Sequence, residues 1–286
     1  MDGLKFTLGN ARNDLLRDSS DWDKFSQFWE DLPLDPYMGD GGTYRRRKHS
    51  VISYTVADGT VASVDQNGFL QSKEINRLNG GIVRRFEPIN QALLDTSVFR
   101  RILAHFVARI AEITPDGEPV APVRRINIHQ HRIVATEKEA GNPTPEGIHR
   151  DGVEHIVMML IARKDITGGV STLYDNAESP VLTHTLSDPG DYIFLDDRTG
   201  LHSVSPVRVA PATPKGYRDM FFLEFCSRRS APEAGTPGRR RGTRGAGRSG
   251  RRSSDLGPAV GRGPLSLLRP ARHPAPSSGR AEQRWS

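Results

Sequence analysis

From residue 125 to residue 226 the chain reads as a succession of short strands separated by turns, and this limits the folds open to it. Alternating or short apolar runs mark strands at 125–135, 155–162, 171–174, 181–186, 191–194, 202–209 and 218–226. Gly168-Gly169, Pro189-Gly190 and Thr213-Pro214-Lys215-Gly216 punctuate them. Many short strands behind a helical N-terminal part predict a mainly β, α+β fold. The expected form is a double-stranded β-helix, or jelly-roll, barrel with the N-terminal helices packed on it. Such a barrel encloses a cavity at one mouth.

The preceding 120 residues supply the helices. Asp21 is placed as an N-cap before Trp22, Phe25, Phe28, Trp29 and Leu32, an apolar stripe at helical spacing that Asp35-Pro36 stops. Strands are expected at 43–56, 61–64 and 69–71, with Asn67-Gly68 as a hairpin turn. Leu94, Val98, Ile102, Phe106, Ile110 and Ile113 mark the longest helix, ended near Thr114-Pro115-Asp116-Gly117. Leu103 and Val107 widen its apolar face enough to lie on a sheet. One domain is expected over 1–227, with a helical and β part at 1–120 and the jelly-roll core at 121–227.

Composition changes abruptly after that. Residues 228–286 hold 14 Arg, no Lys and three acidic residues, so of the whole-chain net charge of +6, +11 sits there and −5 on the body. A mildly acidic body gives no reason to expect nucleic acid in its cleft. The tail buries too little apolar area to offset chain entropy and is expected to be disordered. It could attract nucleic acid nonspecifically through phosphate contacts, serve as an interaction tail, or be a frame-shifted or read-through extension of a GC-rich gene; the sudden change favours the last. The one cysteine, Cys226, excludes an internal disulfide or thiolate cluster and reads as a packed thiol. No signal peptide or membrane span is evident, which points to a cytoplasmic protein without a membrane partner. Oligomeric state is left open.

The chemistry-bearing residues are His149-Arg150-Asp151 and, 51 residues after Asp151, His202. Two imidazoles and a carboxylate are the ligand set of mononuclear non-haem iron, bound on one face with the opposite positions open. On extended chain His149 and Asp151 share a side while Arg150 faces away, and His202, opening another strand, closes the set from across the barrel. Such iron needs an oxidising partner, usually 2-oxoglutarate, whose far carboxylate suits an arginine fork. Arg218, 16 residues after His202, is the choice, with Arg208, six residues after it, the competitor. Other features have plainer readings. His129 and His131 lack a carboxylate partner and read as structural or substrate-lining, and His155 as a packed histidine. Arg45-Arg46-Arg47-Lys48 would ordinarily be a solvated charge run. Asp196-Asp197-Arg198 reads as a turn in which a carboxylate could orient a ligand imidazole.

The run Pro143-Thr144-Pro145-Glu146-Gly147-Ile148-His149-Arg150-Asp151-Gly152 resembles the metal-binding signature of the bacterial 2-oxoglutarate/Fe(II) dioxygenases that hydroxylate free amino acids, the isoleucine-dioxygenase-like group. Tyr44–Arg47, Gly168–Ser171, Phe194–Arg198, His202–Pro206 and Gly216–Asp219 are similar to that group in the same order. The resemblance covers about residues 30–226. It implies His149, Asp151 and His202 as catalytic iron ligands, Arg218 as the 2-oxoglutarate anchor, and a jelly-roll core with a helical cap. It also implies Fe(II), 2-oxoglutarate and O2 as cofactor and co-substrates, with ascorbate as the reductant in vitro. The expected partner is a small molecule, a free and aliphatic L-amino acid. His131, Glu146 and Arg198 are the substrate-binding candidates, and Tyr44–Arg47 gains interest as a pocket wall. The alternative is a non-catalytic jelly-roll binding protein with a vestigial metal site, against which the complete set of four residues argues.

Overall fold

Alternation along the strands decides which face each residue covers, and here it separates an apolar core from a polar cavity. The computed structural model describes residues 4–16, 19–64, 68–115 and 121–226. The expectations for Asn67, for Asp116-Gly117 and for a disordered tail at 228–286 lie outside them. The strands are β1 (Phe6–Asn10), β2 (Arg45–Thr55), β3 (Val61–Ser63), β4 (Val123–Thr136), β5 (His155–Lys164), β6 (Ile166–Gly168), β7 (Ser171–Tyr174), β8 (Pro180–His184), β9 (Asp191–Asp196), β10 (Leu201–Val204), β11 (Val207–Val209) and β12 (Lys215–Cys226). The helices are α1 (Ala11–Leu15), α2 (Ser19–Ser26), α3 (Gln91–Leu94) and α4 (Ser97–Ile113). A seven-stranded sheet runs β1-β9-β5-β12-β4-β2-β3, beside a three-stranded sheet β10-β7-β8 and a pair β11-β6. This is the expected jelly-roll arrangement of antiparallel sheets.

Strand β12 lies at the centre of the large sheet, paired on both sides, and shows the division of faces. Phe221, Leu223 and Phe225 join the core beneath the helices, packing with Phe25, Trp29, Phe99, Ile102 and Phe106. Phe25, Trp29 and Phe221 meet edge-on at centroid distances of 5.4–5.7 Å, a favourable aromatic geometry. Trp29 Nε1 donates to the Met220 carbonyl at 3.1 Å, tying the helical layer to the sheet. The alternate residues Arg218, Met220, Phe222 and Glu224 line the cavity on the other face. There a second apolar cluster, including Ile156, Leu160, Leu173, Leu186 and Ile193, joins the large sheet to the small one.

Several expected boundaries shift. Helix α2 begins at Ser19, so Asp21 falls in its first turn, where it complements the helix dipole instead of capping it. The long helical pattern breaks at Asp95-Thr96, because the Thr96 side chain accepts the Phe99 N–H at 3.2 Å and starts α4 anew. The expected strand 202–209 is two strands in different sheets, parted at Ser205-Pro206, where proline cannot donate to a ladder. Segment 69–71 is no strand; Phe69 makes only an isolated bridge to Arg84. Strands β1 and β6 and helix α1 had no expected counterpart.

His155 is packed, stacked on Phe194 with its Nε2 4.0 Å from Asp196. Burial lowers its pKa to about 4, outweighing the opposing pull of Asp196. Between that value and its ordinary one, the unfolded chain binds a proton that the folded protein does not. The stabilisation is therefore whole above about pH 6.5 and is lost as pH falls toward 4, by about 3 kcal/mol. Urea midpoints at pH 7 and pH 4.5 should fall more for the wild type than for His155→Phe. Equal falls would remove His155 as the cause.

Candidate metal centre and cofactor pocket

His149 and His202 lie side by side, not across the barrel from each other. They form an antiparallel bridge in which His149 N–H donates to the His202 carbonyl at 3.0 Å and His202 N–H returns the bond at 2.8 Å. The ring centroids are 4.4 Å apart. His202 is held by β10, and His149 and Asp151 by the connection into β5. Gly147 (φ +83°) and Gly152 (φ +78°) bracket that connection in the left-handed region where glycine is free of Cβ strain. One ligand atom from each of His149, Asp151 and His202 lies within 4.8 Å of the others. His149 Nε2 is 3.9 Å from Asp151 Oδ1, and His202 Nε2 is 3.5 Å from Asp151 Oδ2.

These residues fit a mononuclear ion. His149 Nδ1 donates to the Gly147 carbonyl, which can only accept, at 3.0 Å, and this leaves Nε2, on the side of Asp151, as the atom that could bind a metal. Burial and the negative charges of Glu224, Asp197 and Glu146 push the Asp151 carboxyl well above its usual range. These negative charges outweigh the opposing pull of Arg47, and a divalent cation at the convergence point would balance them.

Asp197 holds this arrangement from below. Its carboxylate accepts the backbone N–H groups of Asp151 at 3.2 Å, Gly152 at 2.8 Å and Val153 at 3.1 Å. The sequence reading had a carboxylate here orienting an imidazole; it orients instead the main chain that carries the carboxylate of the set. Asp197→Ala is expected to weaken metal retention about 10- to 100-fold, the usual cost of losing a supporting partner. Metal content after dialysis against a graded chelator reads this directly, and unchanged retention would exclude the role.

The centre opens into a cavity whose wall also carries Arg45, Arg47, Arg84 and Arg218, the concave setting usual for small-molecule sites. It holds two separate buried cationic sites. At one, Arg218 is 2 % exposed, and its Nε and Nη2 have no hydrogen-bond partner among the described residues. Burial and nearby Arg163 push its pKa down to about 10. A guanidinium left so is costly unless an anion meets it. Arg208, by contrast, is exposed on β11 and absent from the lining.

The second site takes up the charge run at 45–48, which its charge pattern alone marks as solvated and the family resemblance as a pocket wall. Arg45 and Arg47 are about 5 % exposed and line the cavity, because β2 turns alternate residues of the charge run inward, whereas Arg46 faces out. Arg45 Nε donates to Asp35 at 2.8 Å, and Arg47 Nη2 to His129 Nδ1 at 2.8 Å. His129 Nε2 lies 2.9 Å from Glu224 Oε1, and burial beside the arginines holds His129 neutral. Arg84, which sequence reasoning missed, donates to Gln71 at 2.6 Å and lies 4.8 Å above the Phe69 ring. Arg45 Nη2, Arg47 Nε and Arg84 Nε remain buried without partners among the described residues.

Among the substrate-binding candidates, His131 and Glu146 line the cavity. Arg198 does not: it is exposed and chelates Asp196 with two hydrogen bonds of 2.8 Å, a surface pairing within its own turn. Thr144 lines the cavity while its hydroxyl exchanges hydrogen bonds with the Val204 backbone at 3.0 and 3.1 Å. Gln71 and Asn76 also line it, from a connection with no periodic signal.

A jelly roll with this donor set and a buried arginine defines the class of iron enzymes that use an oxoacid co-substrate. The comparisons agree: residues 26–224 match the 2OG-Fe dioxygenase family, and the chain belongs to it. Its cofactor is accordingly Fe(II), with 2-oxoglutarate and O2 as co-substrates. The chain is 25 % identical over 200 residues to 3(1)-hydroxy-L-isoleucine 4-dioxygenase of Pantoea ananatis, covering 69 % of this chain and 77 % of that one. It is 24 % identical over 165 residues to L-isoleucine-4-hydroxylase of Bacillus thuringiensis, covering 56 % and 66 %. Among solved structures, a bsmA homologue from Methylobium petroleophilum PM1 superposes with a TM-score of 0.69 at 29 % identity, covering 78 % of this chain and 88 % of that one. Among the described residues no helix is long and apolar enough to cross a membrane.

Proposed function

We propose that the protein hydroxylates a free L-amino acid, with His149, Asp151 and His202 holding the iron and Arg218 the far carboxylate of 2-oxoglutarate. The observation that carries this reading is the pair of buried cationic sites in one cavity with the three-residue centre. One anion site serves the co-substrate; the other, formed by Arg45, Arg47 and Arg84, calls for a second carboxylate, that of the substrate. The Pantoea and Bacillus relatives, named for isoleucine and its hydroxylated form, support an amino acid in that role.

Iron and 2-oxoglutarate, when bound, supply the activation of O2, releasing succinate and CO2 while one oxygen atom enters the substrate. The chain's own residues orient and enclose. Arg218 fixes the co-substrate end to end through a planar fork. Thr144 ties the segment bearing Glu146 to β10. Phe69, Met158, Met220 and Phe222 give the cavity apolar walls that limit water.

The test is succinate formation from 2-oxoglutarate with Fe(II), ascorbate and O2 across a panel of free L-amino acids, begun with aliphatic ones. Succinate stimulated by one amino acid, with a mass gain of one oxygen in it, is the expected result. Iron and 2-oxoglutarate binding without stimulation by any amino acid would move the substrate outside this class.

A further inference from the structure

We infer that Glu146 binds the substrate's ammonium group, so that the pocket takes only substrates with a free protonated amine. This rests on the amino acid reading above and specifies what that reading leaves open.

Glu146 is a nearly buried carboxylate, its side chain 9 % exposed, in the wall of the cavity. Its Oε1 is 3.5 Å from Asn76 Nδ2 and 3.6 Å from His149 Nε2. Its Oε2 is buried with no hydrogen-bond partner among the described residues. No described arginine or lysine lies within ion-pairing distance of it; Arg84 feels its charge from farther off, and the guanidinium groups of this end hydrogen-bond to Asp35, His129 and Gln71. His149 cannot serve as its cation in the loaded enzyme, because Nδ1–H is committed to Gly147 and the Nε2 lone pair faces the metal position. Glu146 also stands outside the set of three whose ligand atoms converge.

A buried carboxylate oxygen in this situation needs a charged donor from outside the chain. An ammonium group brings three donors and the opposite charge. The unpartnered guanidinium N–H groups of Arg45, Arg47 and Arg84 present the complementary charge in the same cavity. Cationic and anionic sites therefore face one molecule with both charges, a zwitterion. An N-acyl or amine-less acid satisfies the arginines and leaves Glu146 bare. Sites built to bond a particular N–H or O–H reject the analogue lacking it by factors up to about 10⁴–10⁵.

The experiment uses the full chain and three sets of probes: the twenty proteinogenic L-amino acids, their N-acetyl derivatives and the corresponding desamino acids. Binding to metal-free protein with 2-oxoglutarate is measured by calorimetry, and succinate formation by the iron-loaded enzyme in parallel. The amino acid that stimulates succinate should bind at least about 100-fold more tightly than its N-acetyl and desamino counterparts. Glu146→Gln should weaken the free amino acid until this gap is under about threefold, and Glu146→Asp should restore part of it, while both variants keep wild-type iron content. A wild-type gap retained in Glu146→Gln would overturn the assignment and leave the amino acid reading intact. Iron loss in Glu146→Gln as large as in His149→Ala would overturn it too, making Glu146 a metal ligand. If no amino acid binds or stimulates turnover, both readings fall together.

Discussion

Alanine at His202 is expected to lower succinate formation by about 1,000-fold or more, well beyond the 10- to 100-fold typical of losing an outer partner of a metal site. On the proposed ligand set the change removes one of three donors, and the neighbouring positions offer no replacement: Ser203 and Val204 carry no imidazole, and His131 lies on β4, in the other sheet. Iron content after gel filtration should fall with activity. The fold should survive, because the backbone bonds between positions 149 and 202 do not depend on the side chain. A folded His202→Ala protein with wild-type turnover would rule out the assignment.

Arg218→Met should have two effects of opposite sign. The KM for 2-oxoglutarate is expected to rise about 100-fold, equivalent to about 2.7 kcal/mol of lost binding, since the co-substrate's far carboxylate would meet a thioether. The unliganded protein should become more stable, by about 1–4 kcal/mol, because a buried guanidinium without a carboxylate partner is replaced by an apolar chain of similar length. Arg208→Met, at an exposed position, serves as control and should leave the KM within about twofold. A normal KM in Arg218→Met, or a large change in Arg208→Met, would reverse the choice between them.

The sequence was legible where a local rule governs. Strand alternation and turn residues gave β2, β4, β5, β7, β9 and β12 to within a few residues, because each buries at least one face. The His149–Asp151–His202 set was legible through its residue types, although the route by which the structure brings it together differs. Because His202 opens another strand it was expected across the barrel, whereas an isolated bridge sets it beside His149. Pro206 is in plain view, yet apolar residues on either side concealed the split it causes. The end of the pocket that carries Arg45, Arg47 and Arg84 was least legible. Arg84, Gln71 and Asn76 sit on an irregular connection, where inward or outward orientation follows from tertiary contacts and not from a period. By charge pattern alone Arg45 and Arg47 looked like surface charges, and only the family resemblance pointed to a pocket, because burial of a guanidinium depends on partners remote in sequence, such as His129.

The register of β4 carries one more consequence. Ile133 pairs with Arg45 on one side and with Arg218 on the other, so the two anion sites are rooted in a single sheet two strand spacings, roughly 10 Å, apart. That separation acts as a fixed gauge, since changing it would require remaking hydrogen bonds across three strands. Gln71, Asn76 and Arg84 belong to no strand of this frame. Tolerance for a longer or differently shaped guest therefore resides in such irregular connections, Thr144 and Glu146 lying on a second one, which can be recast while the sheet that carries Arg45 and Arg218 keeps its dimensions.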